Sequence, residues 1–408
     1  MTLHHEDVTV GVDVGGTSTR IVVFSDVGEQ IEAHTSATPL GGTALLNHLG
    51  DGITDSVSVD SRRLTGVGVG IPGGVAGDGT VSMALNIGIE QPLPLGPLLS
   101  SRLGVPVRVE NDVNAAALGA YVRLGCDRGS SLAYLSIGTG LAAGLVIDGE
   151  IVRGSRGAAG EIGHIPLPHG TAPCQCGQVG CVETVASGRA LITRMRAAGI
   201  DGRADDLWTA ADSGHDAATA IRDDAVAALA WCCQAMLLML DVDRIVIGGG
   251  VGIGLGHRLI DPIAAALAER ERQSPFLASI GVSQRLIASP SGIEVGALGA
   301  DRSARRSNRG AESNTWRSMP IGTPPAPRGQ GTRRSRGCAS SIPSTVGRPS
   351  SAPICSAYRR ASGPKPCKCW NQSAPTAGPE SYLSNTECVM RSLRLLDAGS
   401  SPTGRVNR

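Results

Sequence analysis

Residues 13–20 read DVGGTSTR. β-Branched runs flank them, VTVGVDV at 8–14 and TRIVVF at 19–24, so the pair Gly15-Gly16 joins two strands in a hairpin. Rossmann and Walker loops both open a helix, and this turn therefore belongs to neither. A tight glycine hairpin lets backbone N–H groups approach phosphate oxygens with no Cβ in the way. Thr17 and Thr19 add hydroxyl donors, and Asp13 can hold a Mg²⁺ or its waters. An ordinary hairpin with a buried aspartate is the plainer alternative.

Outward from this turn, a third strand is expected near 31–34, a helix at 43–53, and a strand at 64–71 ending in Pro72-Gly73-Gly74. A helix at 95–103, a strand at 105–109 and a helix at 112–122 with an acidic cap complete an α/β domain over residues 1–112. The pattern then restarts. Strands at 131–137 and 141–147 flank a second turn, Gly138-Thr139-Gly140, with a short strand at 150–152. A long helix at 218–240 leads to a strand at 244–247 and the turn Gly248-Gly249-Gly250. A helix at 255–270 and a strand at 285–288 close a larger α/β domain over 113–292. The helix at 293–305 is a candidate to fold back onto the first domain. Two glycine hairpins, each opening an α/β unit, predict a duplicated architecture with a cleft between its halves.

The chain has 408 residues, 41% of them apolar but only 2% aromatic, so aliphatic side chains, Ala and Gly must fill the interior. A formal charge of +1 hides an asymmetry. Residues 306–408 hold 16 of the 37 Lys+Arg and 4 of the 36 Asp+Glu, leaving that segment at +12 and residues 1–305 at −11. The acidic body gives no reason to expect a specific nucleic-acid partner. Half of the 24 prolines also fall in 306–408, where no apolar periodicity persists. That segment reads as disordered, or as an out-of-frame extension of the gene. The opening residues do not resemble a secretory signal, and no uninterrupted apolar run is long enough to span a bilayer. A cytoplasmic protein without a membrane partner is expected.

Two further stretches carry chemistry. VENDVNAAALGA at 109–120 puts Glu110, Asn111 and Asp112 at the end of a strand and the start of a helix, where ligand groups gather in α/β folds. Asp112 suits a helix cap and equally a general base, and Asn111 suits a sugar diol. GEIGHIPLPHGTAPCQCGQVGCVE at 160–183 places His164, Cys174, Cys176 and Cys181 within one short loop. Three thiolates and an imidazole in a closed set suit a structural Zn²⁺, with Gly177 and Gly180 permitting the turn.

The three glycine turns after strands resemble the phosphate and adenosine loops of the actin and hexokinase superfamily. More specifically, Gly-Glu-x-Gly-His followed by Cys-x-Cys-Gly-x-x-Gly-Cys-x-Glu resembles the signature of the ROK family. DVGGTSTR, GVGIPGGV, LNIG, VENDVNAAALGA, SIGTG, IVIGGGV and EVGALGA match that family in order, over about residues 8–303. The resemblance implies an actin-like, two-domain α/β sugar kinase that uses ATP and Mg²⁺, carries structural zinc, and forms a homodimer or homotetramer. It implies Asp112 as the base for the 6-hydroxyl of a hexose, glucose first, with N-acetylmannosamine among the alternatives. Gly73, Gly74, Asn86, Asn111, Glu161, His164 and Glu183 would line the sugar, His164 through the ring nitrogen that zinc leaves free. Asp13, Gly15, Gly16, Thr17, Thr19, Gly138, Thr139, Gly140, Gly248 and Gly249 would serve the nucleotide and its Mg²⁺. Ser18 and Ile89 depart from the family's usual residues and receive no role. Polyphosphate-using relatives lack the cysteine motif, which favours ATP. The regulatory members' helix-turn-helix would not fit in the seven residues ahead of Val8, so a sugar-sensing regulator is the lesser expectation.

Overall fold

In the computed structural model the described residues are 6–58, 62–290 and 295–313. Two five-stranded sheets organise them. The first contains β1 (Glu6–Val14), β2 (Ser18–Ser25), β3 (Gln30–Ala37), β4 (Arg62–Ile71) and β5 (Val107–Asn111) in the order β3-β2-β1-β4-β5. The first three strands are antiparallel neighbours, while β4 and β5 run parallel to β1. Parallel pairs need crossovers, and α1 (Gly42–Val57) and α2 (Leu95–Leu103) lie on those connections. After α3 (Asp112–Arg123) the second sheet repeats the plan. Its strands are β6 (Ser131–Ile137), β7 (Leu141–Ile147), β8 (Glu150–Ile151), β9 (Arg244–Gly248) and β10 (Leu286–Ala288), ordered β8-β7-β6-β9-β10. Again the first three are antiparallel and the last two run parallel to the first. The duplication foreseen from the two hairpins is present.

Helices α4 (Glu183–Ala186), α5 (Gly188–Ala197), α6 (Ala204–Asp212), α7 (Asp216–Leu240), α8 (Gly249–Leu255), α9 (His257–Gln273) and α10 (Pro275–Ile280) surround the second sheet. Among the described residues α7 is long and apolar enough to cross a membrane by length and composition. Its Ala225, Leu229, Cys232, Cys233 and Met236 are instead buried in the core around β6 and β9. The first core takes one face of β1, where Val8, Val10, Val12 and Val14 pack with Leu45, Leu49 and Ile53 of α1. Every second side chain of a strand shares a face, so Thr9, Gly11 and Asp13 point the other way.

That opposite face receives the final helix, α11 (Val295–Ser313). Between the sheets, glycines let backbones approach. A Cβ on Gly11 would meet the Ala297 carbonyl at 2.0 Å, and one on Gly68 of β4 would meet that of Ala300 at 1.8 Å. Helix α11 then packs on α3, where a Cβ on Gly299 would fall 1.7 Å from the Ala115 carbonyl. Helix α3 packs on β7, where Gly144 faces the Val113 carbonyl. Midway along α11, Arg305 pairs with buried Asp301 at 2.8 Å and donates to the Ser25 and Asp26 carbonyls, both at 2.6 Å. Arg306 pairs with Glu150 at 3.0 Å.

Several sequence expectations shift. Strand β5 begins after Pro106, whose missing N–H cannot join a ladder, and its parallel pairing with β4 continues to Ile71 opposite Asn111, so it ends at 111 rather than 109. The supposed Gly248–Gly250 turn is the last residue of β9 followed by the first turn of α8. The helix expected at 255–270 is present as α9, displaced to His257–Gln273, and the unforeseen α8 precedes it at 94° across Gly256, whose φ is 52°. The short helices α4, α5, α6 and α10 were not foreseen. Helix α11 continues to Ser313, beyond the expected end at 305, and its expected start at 293 lies outside the described residues. The disorder and out-of-frame readings of 306–408 concern, past 313, residues outside those described.

Candidate active site

The end of β5 and the start of α3 present three polar side chains in succession. Asn111 caps the helix, its Oδ1 accepting from the N–H groups of Val113 (3.0 Å) and Asn114 (3.1 Å). The cap is therefore an amide, not the acidic side chain anticipated, because the strand runs two residues further than the sequence suggested. Asp112 becomes the first helical residue and lines a cavity of about 450 Å³. Burial pushes its carboxyl up to about 6, and the Glu161 carboxylate adds to the rise, against a hydrogen bond from the Val113 N–H.

That cavity also has Gly16, Thr17, Asn86, Gly138, Thr139, Gly140, Glu161 and Glu183 on its walls. Glu183 is anchored by the Leu141 N–H at 3.0 Å. A smaller recess of about 60 Å³ is bounded by Gly73, Gly74, Asn111 and Glu161. Asn111 Nδ2 donates to the Gly73 carbonyl at 3.2 Å. Gly73 has a φ of 101°, and a Cβ there would meet the Met83 carbonyl at 2.1 Å, so both backbone and space require glycine. A third cavity, about 600 Å³, shares Thr17, Gly138 and Thr139 with the first and continues past Gly188, Arg189, Arg196, Arg203, Asp205 and Gly250. A carboxylate held near neutrality thus faces two glycine turns, with room for a small polar molecule on one side and a larger one on the other.

Other predicted nucleotide residues sit elsewhere. Thr19 is fully buried, its hydroxyl 2.9 Å from that of Thr38, which itself donates to the Gly15 carbonyl, so Thr19 braces the hairpin. The Gly15 N–H is taken by the Ser18 carbonyl at 2.8 Å. Asp13 lies beneath α11, close enough to Gly296 that a Cβ there would fall 2.4 Å from its carboxylate. Gly248 is buried against the Tyr134 ring, and Gly249 donates to the Tyr134 hydroxyl at 3.3 Å; Gly250 is the one of the three on the cavity wall. Sequence reading missed Arg189 and Arg196, on α5, and Arg203, just ahead of α6; it foresaw neither helix. It also missed Arg153, which pairs with buried Glu110.

The cysteine loop folds into one cluster. His164, Cys174, Cys176 and Cys181 bring their ligand atoms within 4.8 Å of one another. His164 Nδ1 lies 3.7 Å from Cys174 Sγ, and Cys176 Sγ lies 3.6 Å from Cys181 Sγ. Ligands about 2.3 Å (sulfur) and 2.0–2.1 Å (nitrogen) from a tetrahedral zinc are separated by a little under 4 Å, so the donor set fits that ion. Gly177 and Gly180, at φ 91° and 83°, make the turns that close it. The other ring nitrogen, His164 Nε2, points back toward Glu161, 3.9 Å from its Oε2.

The model of the ROK family matches residues 9–305. The chain belongs to the ROK family. It is 34% identical over 277 residues to a glucokinase of Halalkalibacterium halodurans, covering 62% of this chain and 83% of that one. It is 31% identical over 252 residues to an N-acetylmannosamine kinase of Vibrio cholerae, covering 61% and 86%. Among solved structures, the ROK glucokinase of Streptomyces griseus, in complex with glucose and AMPPNP, aligns at 30% identity. That alignment has a TM-score of 0.59 over 73% of this chain and 99% of the other. Xylose repressors also match, and the chain spans about half their length. The two-sheet architecture is accordingly the actin-like, hexokinase-like fold of ROK proteins, and this chain is of the sugar-kinase kind.

Proposed function

We propose that this ROK protein transfers the γ-phosphoryl group of ATP to the 6-hydroxyl of a hexose, with glucose the preferred acceptor. The observation that carries the reading is Asp112, a carboxylate raised to about 6 on the wall of the cavity of about 450 Å³ that the two glycine turns also line. A base is most effective when its pKa lies near the working pH. Asp112 takes the hydroxyl proton as that oxygen bonds to the γ-phosphorus, and the bond to the bridging oxygen breaks to leave ADP. The glycine turns offer backbone N–H groups and the Thr17 and Thr139 hydroxyls to the phosphate chain, so catalysis here is chiefly positioning and charge neutralisation. Mg²⁺, when bound with the nucleotide, supplies further neutralisation of the phosphate oxygens.

Asn111, Glu161 and Glu183 offer hydrogen bonds to a diol-rich ring, and His164 Nε2 joins them from the zinc loop. Zinc would hold Nδ1 of that ring and so fix the direction of Nε2. Support for glucose comes from the glucokinase likeness, which extends over most of the relative's length. A coupled assay of ADP release over glucose, mannose, N-acetylmannosamine, N-acetylglucosamine, allose and fructose tests the reading. Glucose should give the highest kcat/KM. A higher value for N-acetylmannosamine would replace the substrate, and hexose binding with no ADP release would point to a sugar-sensing role instead.

A further inference from the structure

Beneath the recess lies an ion pair that joins the two halves of the fold. Glu110, at the end of β5, is only 4% exposed. Its Oε2 accepts from Arg153 Nε at 2.9 Å and also from Nη2. Its Oε1 accepts from the Asn111 backbone N–H at 3.1 Å and from Asn114 Nδ2 at 3.2 Å. Arg153 follows β8 and opens the loop toward Glu161, and its carbonyl accepts from the Ala159 N–H at 3.1 Å. Both partners line the recess that Asn111 and Glu161 also bound.

Resting on the kinase reading above, we propose that Arg153 is a positioning residue for the hexose. By clasping Glu110 across the cleft floor, it holds Asn111 on one half and the Glu161 loop on the other at the separation the sugar requires. A purely structural ion pair behaves differently. Breaking it strands a buried charge and destabilises the fold, but replacing both partners by neutral groups is often harmless. A positioning pair loses ligand affinity even in the neutral double variant.

The test compares Arg153→Met, Glu110→Gln and the double variant in the full chain, by calorimetric glucose Kd, ATP KM and melting temperature. We expect each variant to weaken glucose binding about tenfold or more, as loss of an oriented polar contact does. The double variant should be no weaker than the worse single one, and ATP KM should stay within about twofold. If Arg153→Met fails to fold, the neutral double variant carries the comparison. Wild-type glucose affinity in the double variant would overturn the proposal. Losses that multiply between the single variants, or an equal loss for ATP and glucose, would overturn it too. Failure of the kinase reading shows separately, as absence of ADP release by the wild-type chain that still binds hexose.

Discussion

A carboxylate in the first turn of a helix is ordinarily comfortable, because the helix N-terminus carries partial positive charge. Asp112 occupies such a position, yet burial and the neighbouring Glu161 drive its carboxyl up to about 6. In an unfolded chain an aspartate titrates near 3.9. Between those values the folded protein binds the proton more readily, so this residue favours folding as pH falls through the window and opposes it above about 6. Asp112→Asn should therefore raise the melting temperature by a few degrees at pH 8, with the gain fading by pH 5. Thermal melts at the two pH values check this; an equal shift at both would mean the carboxylate is not strained. Wild-type kcat/KM should likewise fall about tenfold per pH unit below 6. The residue types at 110–112 were legible in the sequence, but the assignment of cap and acid was not. It depended on where β5 ends, which the parallel pairing with β4 out to Ile71 opposite Asn111 decides.

At the scale of elements, the helix–helix contact between α3 and α11 makes a sharp claim. Gly to Ala inside a helix ordinarily stabilises by roughly 1 kcal/mol. At Gly299 the new methyl would lie 1.7 Å from the Ala115 carbonyl, so Gly299→Ala should instead destabilise, by about 1–3 kcal/mol as overpacking does. Gly254, with open space around its Cβ position, serves as the control, and urea denaturation compares the two. The cysteine loop makes another claim. Purified protein should contain about one zinc per chain, and Cys176→Ser should lower both metal content and melting temperature. Active protein free of zinc would contradict the assignment. The loop was legible because its four ligand types fall within 18 positions, 164 to 181. Helices α4 to α6 were not, since their apolar faces only make sense against the second sheet.

For the whole molecule, the strand plan was legible because glycine hairpins and β-branched runs are local signals, and the plan repeats. The extent of the last helix was not, since Arg305 and Arg306 are anchored by residues far away in sequence. Truncation after Ser313 should leave melting temperature and kcat/KM within error of the full chain, whereas truncation before Arg305 should lower the melting temperature by several degrees. Equal stability of the two truncated forms would show that the arginine anchors contribute nothing. The central claim is that the cleft between the two halves transfers a phosphoryl group with Asp112 as the base. Its most direct test is glucose-dependent ADP release by wild-type protein and Asp112→Asn, each paired with a calorimetric glucose Kd. The account predicts turnover by the wild type, a loss of at least about 10²-fold in kcat for the variant, and a Kd that changes little. A variant that binds glucose and retains near-wild-type kcat would contradict it.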